Sequence, residues 1–323
     1  MEISTNVLDE LYRNFLADFA KGMDFVPGTD LKMVCMDFPS GGRSNFYPFL
    51  DANFRGWREW IGSRQVKQTI ANGYELVNRN WEDSVQVPLV TIEDDNESSI
   101  KMYSTLVEGM GQGWQEMRWQ WQALPLIENS TAFDGLPFFS TSHVYGDNDI
   151  PNLSANAFTK ELYEAAFETA ASWKFADGIQ CRTRFTHILH GPSTRGLVFD
   201  VVGAERLASG ASNRNYRRSE MVELDLLTGD YSEMVILVDG SKRLKPALRQ
   251  TRKPSQIIMD TNPATVLRSG EVDVMGYGRG AYGVTFPHLA YAFIPAPAGS
   301  KAPAGSKAPA GSKASAKETP AKK

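Results

Sequence analysis

The residue types best suited to chemistry in this 323-residue chain are four histidines, His143, His187, His190 and His288, and two cysteines, Cys35 and Cys181. Their spacing supports little of it. The cysteines form no CxxC pair, so neither a disulfide framework nor a zinc cluster is expected, and they read as two buried thiols in a reducing compartment. The chain contains no HExxH and no GxxxxGK[ST] phosphate loop. His187 and His190, in THILH, stand three apart on an expected strand, which sends them to opposite faces and away from a shared metal. Ser140, Ser142 and His143 supply nucleophile and base types, but sequence neighbours rarely reach triad geometry, and no GxSxG elbow is present. The glycine-rich run MGYGRGAYG (275–283) lacks the strand–GxGxxG–helix setting of a dinucleotide site and reads as a close-packed strand or tight turns. Glu93-Asp94-Asp95 marks a helix start as readily as a cation site. Residue types and spacing therefore point to no catalytic, cofactor-binding or metal site, and to no enzyme.

Charge is distributed unevenly. From residue 296 onward six lysines face one acid, Glu318, a net of +5, while residues 1–295 hold 28 basic and 37 acidic residues, a net of −9. An acidic body argues against a folded surface built to grip nucleic acid. The tail repeats APAGSK three times, at 296–301, 302–307 and 308–313. Its composition cannot bury enough apolar surface to offset ordering, so it is expected to be disordered, with at most a weak, salt-sensitive contact to an acidic partner. No apolar run approaches ~18 residues, so no membrane-spanning helix is expected. The first twenty residues carry acids where a signal peptide would be basic, so secretion is not expected and the cytoplasm fits.

The elements that would position these residues follow from periodicity. Asn6 is placed to cap a helix carrying Leu8, Leu11, Tyr12, Phe15 and Phe19 and ending at Gly22. Residues 22–55 break at Pro27-Gly28, Pro39, Gly41-Gly42 and Pro48 and read as an extended arm or loop. Residues 56–93 read as a hairpin-like excursion around Ala71-Asn72-Gly73, with a β-rich run at Val85, Val87, Leu89, Val90 and Ile92. Its apolar positions are too sparse for a core of its own, yet it carries Trp57, Trp60, Tyr74 and Trp81. These are candidate subunit-contact residues, with ordinary same-chain packing left open. The strongest pattern is the stripe Ile100, Tyr103, Val107, Met110, Trp114, Met117, Trp121 and Leu124, which predicts a helix over 97–124, ~40 Å long, bracing a sheet. Asp94, Asp95 and Asn96 are placed to cap it, and Val107, Met110, Trp114, Met117 and Trp121 are its expected core.

After a turn-rich segment, Thr159 is placed to cap a helix with Leu162, Ala166, Ala170 and Trp173, ended by Asp177-Gly178. A strand over 185–189, a turn at Gly191-Pro192 and a Ser193-capped helix with Leu197, Val201 and Val202 come next. Strands are expected at 221–227 and 233–238, and an alternating stretch at 272–294. Helices and strands mix without regular βαβ order, so the fold class is α+β.

One passage has a specific likeness. FDGLPFFSTSH (133–143), with Asp134, Gly135, Phe138, Phe139 and His143, resembles the DG-x-x-FF…H signature of the major head subunit of Mu-like bacteriophages. The stretch 67–95, KQTIANGYELVNRNWEDSVQVPLVTIEDD, is similar to the segment preceding that family's long helix. ASNRNYRR (211–218), EMVILVD (233–239), LKPALRQTRKPSQ (244–256) and VDVMGYGRGAYGVTFPHLAYA (272–292) follow in the family's order. The likeness spans about 1–295. Pro88-Leu89 stands where a basic residue is usual, and the APAGSK tail lies outside the pattern.

The resemblance implies the Hong Kong-97 type capsid fold. Residues 1–55 would be the N-terminal helix and arm, 56–93 the extended loop, 94–156 the peripheral domain with its spine helix, 157–240 the axial domain, 241–295 the completion of both sheets, and 296–323 the basic tail. It further implies a major capsid protein, not an enzyme, that needs no cofactor. Such a protein would assemble in the host cytoplasm with copies of itself, as hexamers and pentamers of an icosahedral virion shell. Portal, scaffold and decoration proteins would be further partners, packaged DNA would be touched weakly, and no membrane would be involved. A cellular nanocompartment shell of the same fold is the nearest alternative, and an enzyme the alternative of a different class.

Overall fold

The long apolar stripe organises what surrounds it in the computed structural model, which describes residues 4–48, 73–94, 97–207 and 209–295. In chain order the first half comprises α1 (Thr5–Met23), β1 (Cys35–Pro39), β2 (Ser44–Pro48), β3 (Gly73–Val77), β4 (Arg79–Pro88), α2 (Leu89–Glu93), α3 (Glu97–Gln120) and α4 (Leu124–Ile127). Three two-residue strands follow, β5 (Val144–Tyr145), β6 (Asn148–Asp149) and β7 (Leu153–Ser154), then α5 (Lys160–Ser172), β8 (His187–His190), α6 (Arg195–Val198) and β9 (Glu220–Glu223). The chain closes with β10 (Val235–Val238), β11 (Ala247–Met259), α7 (Pro263–Ser269), β12 (Glu271–Val284) and β13 (Ala290–Phe293).

Two sheets carry the architecture. One has four strands in the order β1-β11-β12-β4, the other five in the order β7-β13-β10-β8-β9. Helices α1 and α3 cover the four-stranded sheet, burying Leu8, Phe15, Val107 and Met110 against Ile257, Val272 and Val274. Helix α5 covers one side of the five-stranded sheet through Tyr163, Ala166, Ala170 and Trp173. A third cluster, including Phe138, Phe139, Leu126, Ile236 and Val284, ties the two sheets together. The mixed architecture is α+β, as the element pattern predicts.

Several expectations are corrected. The spine helix stops at Gln120, and Trp121 sits in the turn before α4. Pro125 explains the break, because it has no N–H to offer the Trp121 carbonyl four residues back. Met117 is half-buried, not core. Helix α1 begins at Thr5 with Ser4 at the cap position, so Asn6 lies inside it. The arm is not wholly irregular: β1 pairs in parallel with β11, and β2 antiparallel with β3.

The second half of the excursion is not a free hairpin either. Strand β4 pairs along its whole length with β12, which satisfies its backbone in the sheet, and Leu89–Glu93 is helical beyond Pro88. Asp177-Gly178 forms a turn past the end of α5 rather than the helix stop, while Thr159 does cap α5, its hydroxyl accepting from the Leu162 N–H at 3.2 Å. In place of one Ser193-capped helix, a 3-10 turn (Pro192–Thr194), α6 and a wider π turn (Phe199–Gly203) follow one another, with Leu197 exposed. The expected strands shorten to β9 and β10, and 272–294 divides into β12 and β13. Trp57, Trp60, Ala71-Asn72, Asp95-Asn96 and the APAGSK tail lie outside the described residues.

Candidate assembly surface

The spine meets its sheet through a ladder of glycines. Alternate residues of β12 face α3, and at three of them the side chain is a hydrogen. A Cβ added at Gly276 would stand 3.0 Å from the Met110 methyl, at Gly278 2.2 Å from the Trp114 ring, and at Gly280 3.0 Å from the Trp121 ring. The glycine-rich run is thus a close-packed strand, relieved where large spine side chains press on it. Helix α1 approaches the same spine as tightly, since a Cβ on Gly22 would stand 2.0 Å from the Glu108 carbonyl oxygen.

Trp81 and Tyr74, two of the candidate subunit-contact residues, make their contacts within the chain. The Trp81 ring lies 5.1 Å from that of Trp121, and its Nε1 donates to the Gly280 carbonyl at 3.1 Å. The Tyr74 hydroxyl donates to the Val284 carbonyl, and burial pushes that hydroxyl's pKa up. Trp121 also meets Trp114 at 6.0 Å and Tyr282 at 5.8 Å, completing an aromatic cluster. Beside it, Phe19, Trp81, Met110, Trp114, Met117 and Tyr277 line an open groove of about 230 Å³. The buried Trp114 Nε1 has no hydrogen-bond partner among the described residues.

The DG-FF-H passage forms a buried tie. Gly135 takes φ +80°, the left-handed conformation that favours glycine in a turn. The turn brings Asp134 to His143, whose Nδ1 lies 2.5 Å from the carboxylate, while Nε2 lies 2.9 Å from the Phe138 carbonyl. His143 is fully buried, and Phe138 and Phe139 pack edge to face in the core between the sheets. Both ring nitrogens of His143 are engaged, and neither faces Ser140 or Ser142. Ser140 instead receives the Ser142 N–H on its hydroxyl and donates its own N–H to Asn152.

His187 and His190 part to different settings, as their spacing requires. His190 is buried with Nδ1 against the Gly191 carbonyl. His187 stands 3.4 Å from Glu220, and burial holds its imidazole below the ordinary value against the pull of that carboxylate. His288 is buried against the Tyr145 hydroxyl at 2.9 Å. Cys35 and Cys181 are both buried. Among the described residues no group of three or more His, Cys, Asp and Glu side chains is close enough to hold a metal, and no helix is long and apolar enough to cross a membrane.

One charged contact was not foreseen from the sequence. Arg249 on β11 grips Asp37 on β1 through Nε at 2.6 Å and a terminal nitrogen at 2.8 Å, and donates to the Arg118 carbonyl at the end of the spine at 2.7 Å. Burial works to raise the Asp37 pKa, but the hydrogen bonds and charge of Arg249 outweigh it and hold the carboxyl below the usual range. The two residues stand 212 apart, so no local pattern announces the pair.

Comparison with known proteins agrees with this architecture. The family of the Mu-like prophage major head subunit gpT matches residues 8–157. The chain is 29% identical over 148 residues to the Mu-like prophage FluMu major head subunit of Haemophilus influenzae, covering 45% of this chain and 46% of that protein. It is 28% identical over 159 residues to the major capsid protein of Escherichia phage Mu, covering 48% and 50%. The chain thus spans about half the length of the curated relatives it matches. Among solved structures, the procapsid of bacteriophage JBD30 superposes with a TM-score of 0.54 at 22% identity, over 90% of this chain and 75% of that one. The mature capsid of bacteriophage PhiM1 gives 0.53 at 9% identity, over 84% and 88%. The passages at 211–218, 233–239, 244–256 and 272–292 lie beyond the family match. Over residues 8–157 the sequence is similar to that of the Mu-like prophage major head subunits, and the fold is the Hong Kong-97 type of the phage capsid shells.

Proposed function

We propose that this chain is the major capsid protein of a tailed bacteriophage, assembling with copies of itself into the icosahedral head that encloses the genome. The observation that carries this reading is the agreement of two independent likenesses, the head-subunit sequence over 8–157 and the capsid-shell fold over most of the chain. In the subunit, α1 and β1 act as the arm, α3 as the spine, and the five-stranded sheet with α5 as the axial domain. The segment 56–93 takes the part of the extended loop, with Trp57 and Trp60 as candidate subunit contacts. The aromatic groove beside Trp114 offers a neighbouring copy an apolar surface of the kind that dominates interface energetics.

In this reading the work is structural, and the buried histidines hold the subunit together rather than turn over a substrate. Portal, scaffold and decoration proteins and weakly held DNA are its partners, and assembly takes place in the host cytoplasm before the virion is complete. Electron microscopy of the protein expressed with its neighbouring genes tests the proposal. Closed icosahedral particles filled with nucleic acid are the expected result. Enzyme cargo inside them would point to a nanocompartment, and a soluble monomer under all assembly conditions would overturn the reading.

A further inference from the structure

The five-stranded sheet carries opposite charge at the two ends of its edge strand, β9. Strands β8 and β9 run parallel, so the segment between them, including α6, returns from the C-terminal end of β8 to the N-terminal end of β9. Gly191 fixes what lies at the C-terminal end: a Cβ there would stand 2.2 Å from the carbonyl oxygen of Leu227. That end presents Asp225, Asp230 and Glu233, all exposed, together with Glu223, which pairs with Arg195 at 3.4 Å. Residues 223–233 hold four acids and no base, while Glu220, at the other end of the strand, stands by His187.

The N-terminal end is basic. The loop 205–218 presents Arg206, Arg214, Arg217 and Arg218, all exposed, against one acid of its own, Glu205. Among the described residues no carboxylate lies within 4.0 Å of any of the four guanidinium groups. The loop is anchored at three of its residues. Buried Asn213 donates to the Val201 and Ala204 carbonyls, Arg217 takes φ +55° while its N–H donates to the Val202 carbonyl, and Arg218 stacks on Phe167 at 3.7 Å. Four residues of strand separate the two ends by ~13 Å, beyond the ~8 Å Debye length at physiological salt. Neither patch neutralises the other within one subunit.

We infer that copies of this chain join head to tail through these two patches, the 205–218 arginines of one subunit receiving the 223–233 carboxylates of the next. A patch that meets its opposite rather than itself makes a heterologous contact, and such contacts form rings where the rotation between copies closes. Strand β9 is last in its sheet, with the Phe199–Gly203 turn packed beside it. The inference rests on the shell reading and adds to it which surfaces close the capsomer. A nucleic acid would use the arginines but leave the matching acidic end without purpose.

Charge reversal tests it in the full chain. R206E/R214E makes both ends acidic, and D225R/D230R/E233R makes both basic; all five side chains are exposed, so the fold should survive, as circular dichroism would verify. Each variant alone should lose assembly at least tenfold by analytical ultracentrifugation at physiological salt. The variant carrying both reversals should regain it, and an equimolar mixture of the two single-patch variants should regain rings of even subunit number only. If the parent assembles and both single-patch variants assemble equally well, the inference fails and the shell reading stands. It fails likewise if the single-patch variants fold and do not assemble but the variant carrying both reversals is not restored, or if R206E/R214E loses only DNA retention. A parent that never associates would overturn the shell reading itself.

Discussion

Gly278 lies so close beneath the Trp114 indole that a methyl group in place of its hydrogen would stand 2.2 Å from one ring carbon and 2.5 Å from another. Neither side yields easily, because the ring is rigid and buried and the strand is pinned on both edges by β11 and β4. Gly278→Ala should therefore lower subunit stability by about 1–3 kcal/mol, the usual cost of overpacking. Gly113→Ala, at the residue just before Trp114 in α3 with nothing within 4 Å of its Cβ, should raise it by about 1 kcal/mol. Thermal denaturation of the two variants checks both signs, and a Gly278→Ala protein as stable as the parent would show that the indole does not bear on that strand.

Trp121 is the centre of the aromatic cluster, 2% exposed and in ring contact with Trp81, Trp114 and Tyr282. Trp121→Ala should cost about 3–5 kcal/mol in the isolated subunit, as large aromatic deletions from cores do. Denaturant titration of the unassembled protein is the measurement. An unchanged midpoint would mean that the ring is buried only in the assembled shell.

The Asp37–Arg249 pair predicts a pH dependence. The folded carboxyl titrates below its unfolded value, so its contribution is complete above the unfolded pKa of about 4 and is lost as pH falls through the lower folded one. Asp37→Asn should be less stable than the parent at neutral pH, and the difference should vanish at the acid end. Melting curves from pH 7 downward test this; a gap that persists unchanged into strong acid would refute the assignment.

Removing His143 should loosen the tie between the DG turn and the core. In His143→Leu the Asp134 carboxylate loses its ring partner and keeps the Leu136 N–H, while the Phe138 carbonyl retains Asn152. A loss of about 1–3 kcal/mol follows from one buried polar group left short of a donor. Hydrogen exchange at residues 131–139 should quicken more than at α5, and uniform quickening would place the effect elsewhere.

Legibility in the sequence followed the range of each interaction. The spine helix, α1 and α5 could be read because a helix writes its buried face every three or four residues, and Ala166 and Val107 sit where that period puts them, although Tyr163 rather than Leu162 opens the buried face of α5. Strand β11 could not. Its sequence ALRQTRKPSQIIM is polar at most positions, its register slips between Thr251 and Gln256 around Pro254, and it is nonetheless central because β1 arrives from far along the chain to flank it on the side away from β12. A bulge lets proline sit where a regular ladder would reject it. Helix α7 was missed despite local signs, Asn262 capping the Ala264 N–H and Gly270 closing at φ +75°, because seven residues are too few to show a period. The DG-FF-H passage was found by likeness, and its chemistry, a histidine engaged on both nitrogens, needed the turn geometry to be seen.

The parallel pairing of β1 with β11 sets a clock on biosynthesis. Met36 finds its partner only when Leu248 has been made, and β4 finds its own only with β12, which ends at Val284. During synthesis at about 5–20 residues per second, the amino-terminal half waits on the order of ten seconds or more with its sheet incomplete. Contacts of such long sequence separation are also slow to form once the chain is free. The sheet under the spine, which needs all four strands, is therefore complete only in nearly finished subunits.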